Sequence, residues 1–268
     1  MKRIILIAGI VISLAAAHAV FAQMAQGVIS YETSINLHRN LPPERQDMKS
    51  MIPEYRTTKE QLMFNETESL YKPVEEDEEQ ELGGGGMRMR MMRPQSEMYT
   101  SSTTMERLAQ QDFLGKKYLV VDTVQMDPWR FGTETKEILG YVCRQAYYTR
   151  TDTVRNMRIT RSDSQENTEP EKRVITQEIT AWYTDKIRPF LGPDRYNTLP
   201  GAVLAIDINN GERVIVAKNI EFKELKKNDL KAPSAGTRMS QTEYRKMVTE
   251  QMQKMRENGR GGMFMMRN

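Results

Sequence analysis

The chain has 268 residues, of which 39 are Lys or Arg and 36 are Asp or Glu, for a net charge of +3. So even a balance gives no global field for holding nucleic acid. One cysteine and two histidines exclude an intrachain disulfide and any multi-histidine zinc site, while 20 methionines stand out in the composition.

The chain opens with Lys2 and Arg3, an apolar run from Ile4 to Leu14, and small residues ending in Val20-Phe21-Ala22. That is the layout of a secretory signal peptide cleaved after Ala22. The apolar run is roughly half the ~20 residues a spanning helix needs. The mature chain is therefore expected to be periplasmic or otherwise exported, with no transmembrane span. Losing Lys2 and Arg3 leaves 37 basic residues against 36 acidic ones.

From Gly27 the pattern is that of strands. GVISYETSINL alternates apolar and polar residues with β-branched and aromatic content. PERQDMKSM, opened by Pro43, suits a short helix, because a missing N–H is harmless in a first turn. EQLMFNETESLYKP reads as a strand or hairpin carrying Leu62, Phe64, Leu70 and Tyr71. Between Val74 and Pro94 come an acidic run, four glycines and a Met/Arg run. The first half of that stretch cannot bury enough apolar surface to offset the entropy of ordering, so residues 74–94 are expected to form a mobile insertion.

Strand patterns resume in SEMYTSSTTMERLAQQ, KKYLVVDTV, ETKEILGYVCRQAYYTRTD, EKRVITQEITAWYTDKI and AVLAIDINNGERVIVAKNIEFKEL. Tyr141, Cys143 and Gln145 alternate with Val142, Arg144 and Ala146, which places Cys143 on a strand as a buried, inert thiol. Asn210-Gly211 between apolar runs is a strong hairpin signal. Short turns between successive strands imply antiparallel pairing. In SQTEYRKMVTEQMQKMREN the period changes. Ser240 and Glu243 form a capping box, and Tyr244, Met247, Val248, Met252 and Met255 share one helical face. The expected organisation is a signal peptide over 1–22, a β-rich domain over 23–231, and a linker, helix and Met/Gly/Arg tail over 232–268. The expected fold is mainly β: an antiparallel curved sheet or open half-barrel with a C-terminal amphipathic helix.

ILGYVCRQAYY (Ile138 to Tyr148) and AWYTDKIRPFLGPDRYNTLPGAVLAI (Ala181 to Ile206) resemble the GLPGLI family of exported bacterial proteins. The signature that names the family reads here Thr198-Leu199-Pro200-Gly201-Ala202-Val203, departing at Thr198 and Ala202. The resemblance covers the core from Gly27 to Leu225. It implies a signal peptide and an antiparallel β-rich domain, and it carries over no catalytic residue. Physically, Pro200 presets one backbone dihedral and Gly201 permits a positive one, so Leu-Pro-Gly is a turn feeding a buried strand from Ala202 to Ile208. Of the neighbours Trp182 and Tyr183, alternation sends one into the core.

Once the leader is removed, His38 is the remaining histidine, so any Ser-His-Asp or Cys-His arrangement has to use it. No P-loop or GxGxxG after a strand occurs. Soft thioethers select Cu(I), and an extended backbone sets Met87, Met89 and Met91 to one side at about 6.7 Å per two residues. Together with Met92, Met263, Met265 and Met266 they are the candidate metal ligands. Arg88, Arg90 and Arg93 oppose a cation, and favour contacts with an envelope protein or an anionic surface. The expected function is a non-catalytic binding or assembly accessory role at the cell envelope. A Cu(I)-binding protein, an apolar-ligand carrier and a paired-carboxylate hydrolase are the alternatives.

Overall fold

The computed structural model describes residues 25–39, 41, 43–74, 97–155, 172–226 and 228–264, with backbone alone at 43–45, 152–155, 172–173 and 256–264. Among the described residues there are twelve strands, and all but the last overlap stretches that alternation marks. β1 is Gly27–Asn36, β2 Tyr55–Phe64, β3 Glu68–Pro73, β4 Glu97–Ser101, β5 Glu106–Phe113 and β6 Lys116–Thr123. The second set is β7 Arg130–Ile138, β8 Tyr141–Arg155, β9 Lys172–Thr184, β10 Ala202–Ile208, β11 Arg213–Phe222 and β12 Thr237–Ser240. The stretch opened by Pro43 is a 3-10 helix, Pro43–Ser50.

The hydrogen-bonded order is β12-β6-β5-β4-β3-β2-β1-β11-β10-β9-β8-β7. It consists of two meanders, β1 to β6 and β7 to β11. β2 pairs antiparallel with β3, and so in turn do the successive strands to β6 and from β7 to β11. The mainly β fold with a C-terminal helix is as expected. β12 adds what four residues are too few to signal by period: it joins β6 in parallel, Thr237 opposite Tyr118.

Two hairpins turn on Leu-Gly. Leu114 and Gly115 (φ 52° and 75°) join β5 to β6, and Leu139 and Gly140 (φ 52° and 79°) join β7 to β8. Each is a two-residue loop between paired residues, Phe113 with Lys116 and Ile138 with Tyr141. Positive φ at both positions suits the right-handed twist of the flanking strands, although Asn is the usual first residue. The Asn-Gly hairpin is wider, because the ladder stops at Ile208 and Arg213. Asn209, Asn210 and Gly211 all take positive φ. Asn209 exchanges bonds with the Glu178 backbone, and the Arg39 guanidinium donates to the carbonyls of Asn209 and Asn210 at 3.0 and 2.7 Å.

The chain forms two compact units. The first draws on Met1–Tyr31, Lys59–Gln125 and Lys218–Asn268, the second on Glu32–Thr58 and Met126–Ala217, so β1, β2 and β11 each contribute to both. In the first unit Met63, Leu70, Tyr99, Leu108 and Leu119 form a buried cluster, with Val28, Val121 and Leu225 against it. Burying each such side chain stabilises by about 1.5–3 kcal/mol. Tyr71 meets Tyr31, and Phe222 meets Phe64, both edge to face.

The same unit carries α1, Gln241–Phe264. The capping box forms as expected: the Glu243 N–H donates to Ser240 Oγ at 3.2 Å, and the Ser240 N–H donates to the Glu243 carboxylate at 2.8 Å. Tyr244 seats the helix edge to face on Tyr118, with ring centroids 5.7 Å apart. Met247 and Val248 are half-buried, whereas Met252 and Met255, further along the same stripe, are 37% and 52% exposed.

Candidate functional site

In the second unit, strand register builds rows of side chains across one sheet face. Ala146 on β8 faces Ala181 on β9, then Ile206 on β10 and Ile215 on β11. All four are fully buried. Two residues along each strand, on the same face, the next row is Tyr148, Ile179, Ile208 and Arg213. Ile179 and Ile208 are still buried, but the row now ends in a phenol and a guanidinium. One step further, Arg150 lies opposite Gln177 and donates to its Oε1 at 2.8 Å. The face thus grades from apolar core to polar rim, which is where a ligand can meet both fixed donors and solvent.

Residues 185–201 run from β9 to β10, and unusually for a connecting segment much of this one is buried, including the polar Asn197 and Thr198. The Val203 N–H donates to the Leu191 carbonyl at 2.9 Å, and Leu191 forms a parallel bridge with Ala202. Gly201 feeds β10 as expected, but not through a positive φ, which the described glycines take only at 115, 140, 211 and 236. A Cβ on Gly201 would instead collide with the carbonyl oxygen of Thr184, so close backbone approach is what requires glycine there.

The segment carries Asp194, Arg195 and Tyr196 into the cluster. Arg213 pairs with Asp194 at 3.6 Å. Burial raises the Tyr196 hydroxyl, the charge of Asp194 adds to that, and Arg150, Arg213 and Arg195 pull the other way. Burial likewise raises Tyr148, helped by Asp127 and Tyr196 and opposed by Arg150 and Arg195. Both phenols therefore stay protonated at neutral pH, with a proton available to donate. Tyr148 is 5% exposed and packs edge to face on Trp129, with centroids 4.5 Å apart. Trp129 Nε1 donates to Thr198 Oγ1 at 3.0 Å, and Thr198 Oγ1 donates to Asp127 Oδ2 at 3.0 Å.

The sequence did not single out these residues. Met87, Met89, Met91, Met92, Met265 and Met266 lie outside the described residues, and for Met263 only its helical backbone is described. The 74–94 insertion also lies outside them, save for its first residue. Among the described residues no three His, Cys, Asp or Glu side chains gather as metal ligands. His38 Nε2 is bonded to the Ile52 carbonyl at 3.0 Å. Cys143 is fully buried, and burial pushes its thiol up to about 11. Of the two neighbouring aromatics Tyr183 is the buried one, while Lys136 lies 5.9 Å over the half-buried Trp182 ring. Among the described residues no helix is long and apolar enough to cross a membrane.

A family model described as a protein of unknown function (Porph_ging) matches residues 129–205. That stretch holds the whole cluster except Asp127 and Arg213. No curated protein matches. Two solved structures of PNGF-II, in C2 and P21 crystal forms, are similar, each with 16% identity and a TM-score of 0.51. The match covers 84% of this chain and 33% of that one, so the chain spans about a third of the length of PNGF-II. At that identity the likeness is one of fold.

Proposed function

We propose that this chain is an exported, GLPGLI-like accessory protein of the bacterial cell envelope, which binds its target without transforming it. The observation that carries this reading is the chemistry of the rim cluster. Tyr148 and Tyr196 are held protonated by burial, with the guanidinium groups of Arg150 and Arg195 acting on both. Phenols and guanidiniums suit hydrogen-bond acceptors, and the two phenols do not exchange protons near neutrality as a general acid or base must. The signal-peptide layout supports export, and the exposed Met252 and Met255 on α1 supply adaptable apolar contact for a partner. The Met/Arg runs at 87–93 and 263–267 are proposed as further contact segments for an envelope protein or an anionic surface.

Capture experiments test the proposal. The full chain without residues 1–22, immobilised and incubated with solubilised envelope, should retain a defined component that a chain lacking residues 241–268 retains less well. Turnover of glycosides or peptides, abolished by Asp127→Asn or Asp194→Asn, would overturn the proposal in favour of a carboxylate hydrolase. Capture of nothing above background would remove the envelope role.

A further inference from the structure

We infer that Tyr148, Arg150, Arg195 and Arg213 form a binding site for an oxyanion, a phosphate, sulfate or carboxylate group carried by the target. The inference rests on the binding reading above and names the chemistry of what is bound. Tyr148 is 5% exposed, yet its hydroxyl has no hydrogen-bond partner among the described residues, and neither has the buried Nε of Arg213. An unpaired buried polar group is destabilising, so each of these two, at the ends of one cross-strand row, is stabilised by an acceptor that reaches it. Burial keeps the phenol protonated, and a protonated phenol beside guanidiniums donates where an anion accepts.

The charge balance points the same way. Arg150, Arg195 and Arg213 all act on Tyr196, against Asp194, and Arg150 and Arg195 act on Tyr148, against Asp127. Asp127 opposes an anion, but it already accepts the Thr198 hydroxyl. Asp194 is engaged by Arg213 at 3.6 Å, and the pair is about one-third exposed. Three arginines and two aspartates thus act on the two phenols. The three arginines arise from β8, the 185–201 segment and β11, so donors approach from separate elements, as oxyanion recognition needs.

Trp129, packed edge to face on Tyr148, provides the readout. With Trp182→Phe in the background it is the one tryptophan of the chain's two that remains. The full chain is titrated with inorganic phosphate, sulfate and acetate, with ionic strength held constant by chloride. At least one of these should change Trp129 fluorescence saturably, and the strongest identifies the group. Tyr148→Phe keeps the ring against Trp129 and should weaken binding about tenfold, the worth of one bond to a charged group. Arg195→Gln should weaken it at least as much, with Arg195→Lys partly restoring it. Arg144→Gln, a change at the exposed pair with Asp185, should do nothing. Arg213→Gln is informative only if the strand signal in circular dichroism is retained, whereas Tyr148→Phe and Arg195→Gln decide the matter without it. Absence of saturation with all three anions, or wild-type affinity in both of those variants, would overturn the assignment and leave a bound water as the partner of Tyr148. If titration fails while envelope capture survives, the anion site falls and the binding reading stands. Saturable binding by a chain that captures nothing would keep the site and remove the envelope role.

Discussion

Substitution at Gly201 separates two reasons for a glycine. A Cβ there would meet the carbonyl oxygen of Thr184, a backbone atom that cannot rotate away, at the point where Thr184 opens the ladder by pairing with Ala202. Overpacking of this kind costs about 1–3 kcal/mol. Replacing glycine by alanine also restricts the unfolded chain, which returns about 0.4–1 kcal/mol. The expected net loss for Gly201→Ala is therefore about 1–2 kcal/mol. Gly201→Asn carries the same Cβ and a polar amide into a buried position, so it should lose more, about 2–3 kcal/mol. Gly140 is the control, with φ at 79° and nothing within 4 Å of the point where a Cβ would stand. There Ala should cost about 1 kcal/mol and Asn less, because Asn tolerates the left-handed region. Urea unfolding of the four variants, with slopes matching the wild type, measures all of this. Gly201→Asn proving more stable than Gly201→Ala, or Gly201→Ala lying within about 0.5 kcal/mol of wild type, would refute the close-approach argument.

Removing the cap with Ser240→Ala should lower the local stability of α1 by about 1 kcal/mol, read as lost ellipticity at 222 nm. The bonds from the Ser240 N–H and hydroxyl hold the Glu243 carboxyl below its ordinary value. The stabilisation is therefore complete above the unfolded carboxyl pKa and fades as pH falls through the folded one, so acid should fray the wild-type helix and have less effect on Ser240→Ala. The Cys143 thiol, raised to about 11 from 9.0, leaves about a hundredfold less thiolate at neutral pH. Ellman's reagent should label it at least that much more slowly in the native protein than in guanidinium. If the methionine runs form a soft site, the full chain binds Cu(I) and not Zn(II). Replacing Met87, Met89, Met91 and Met92 with Leu should then abolish uptake, and unchanged uptake would dismiss them as ligands.

Strand positions were legible because alternation is a local property: Tyr31 and Ile215 fall on the buried face of their strands, whereas in β8 Cys143 and Ala146 are both fully buried although alternation sets them on opposite faces. The capping box was legible for the same reason, since Ser240 and Glu243 are three residues apart. The Leu-Gly turns were not, because leucine is a poor choice for positive φ and the strands around it impose the conformation. Gly201 was recognised as necessary for the wrong reason, because nothing local reveals that the Thr184 carbonyl comes alongside. The rim cluster was the least legible. Its members come from β8, a loop and β11, and only the register through Ile179 and Ile208 aligns them. One signal was available. Arg150 follows Ala146 and Tyr148 on an inward-facing strand edge, where a charge calls for explanation.

The place of β1 in the strand order governs how the chain must assemble. One edge of β1 is met by β2, its neighbour in sequence, but the other waits for β11. The Asn36 N–H reaches the Glu212 carbonyl, the Lys223 N–H reaches the Gln26 carbonyl, and the contact from Leu225 to Gln26 spans 199 residues. Hairpins within each meander close in microseconds, whereas this pairing has to close a loop of nearly the whole chain. At a synthesis rate of about 5–20 residues per second, β1 is made on the order of 10–40 s before its second partner exists. For that interval its free N–H and C=O groups form an open edge, a template for pairing with another chain. Truncation before β11 should therefore produce an aggregation-prone chain, even with every earlier strand intact.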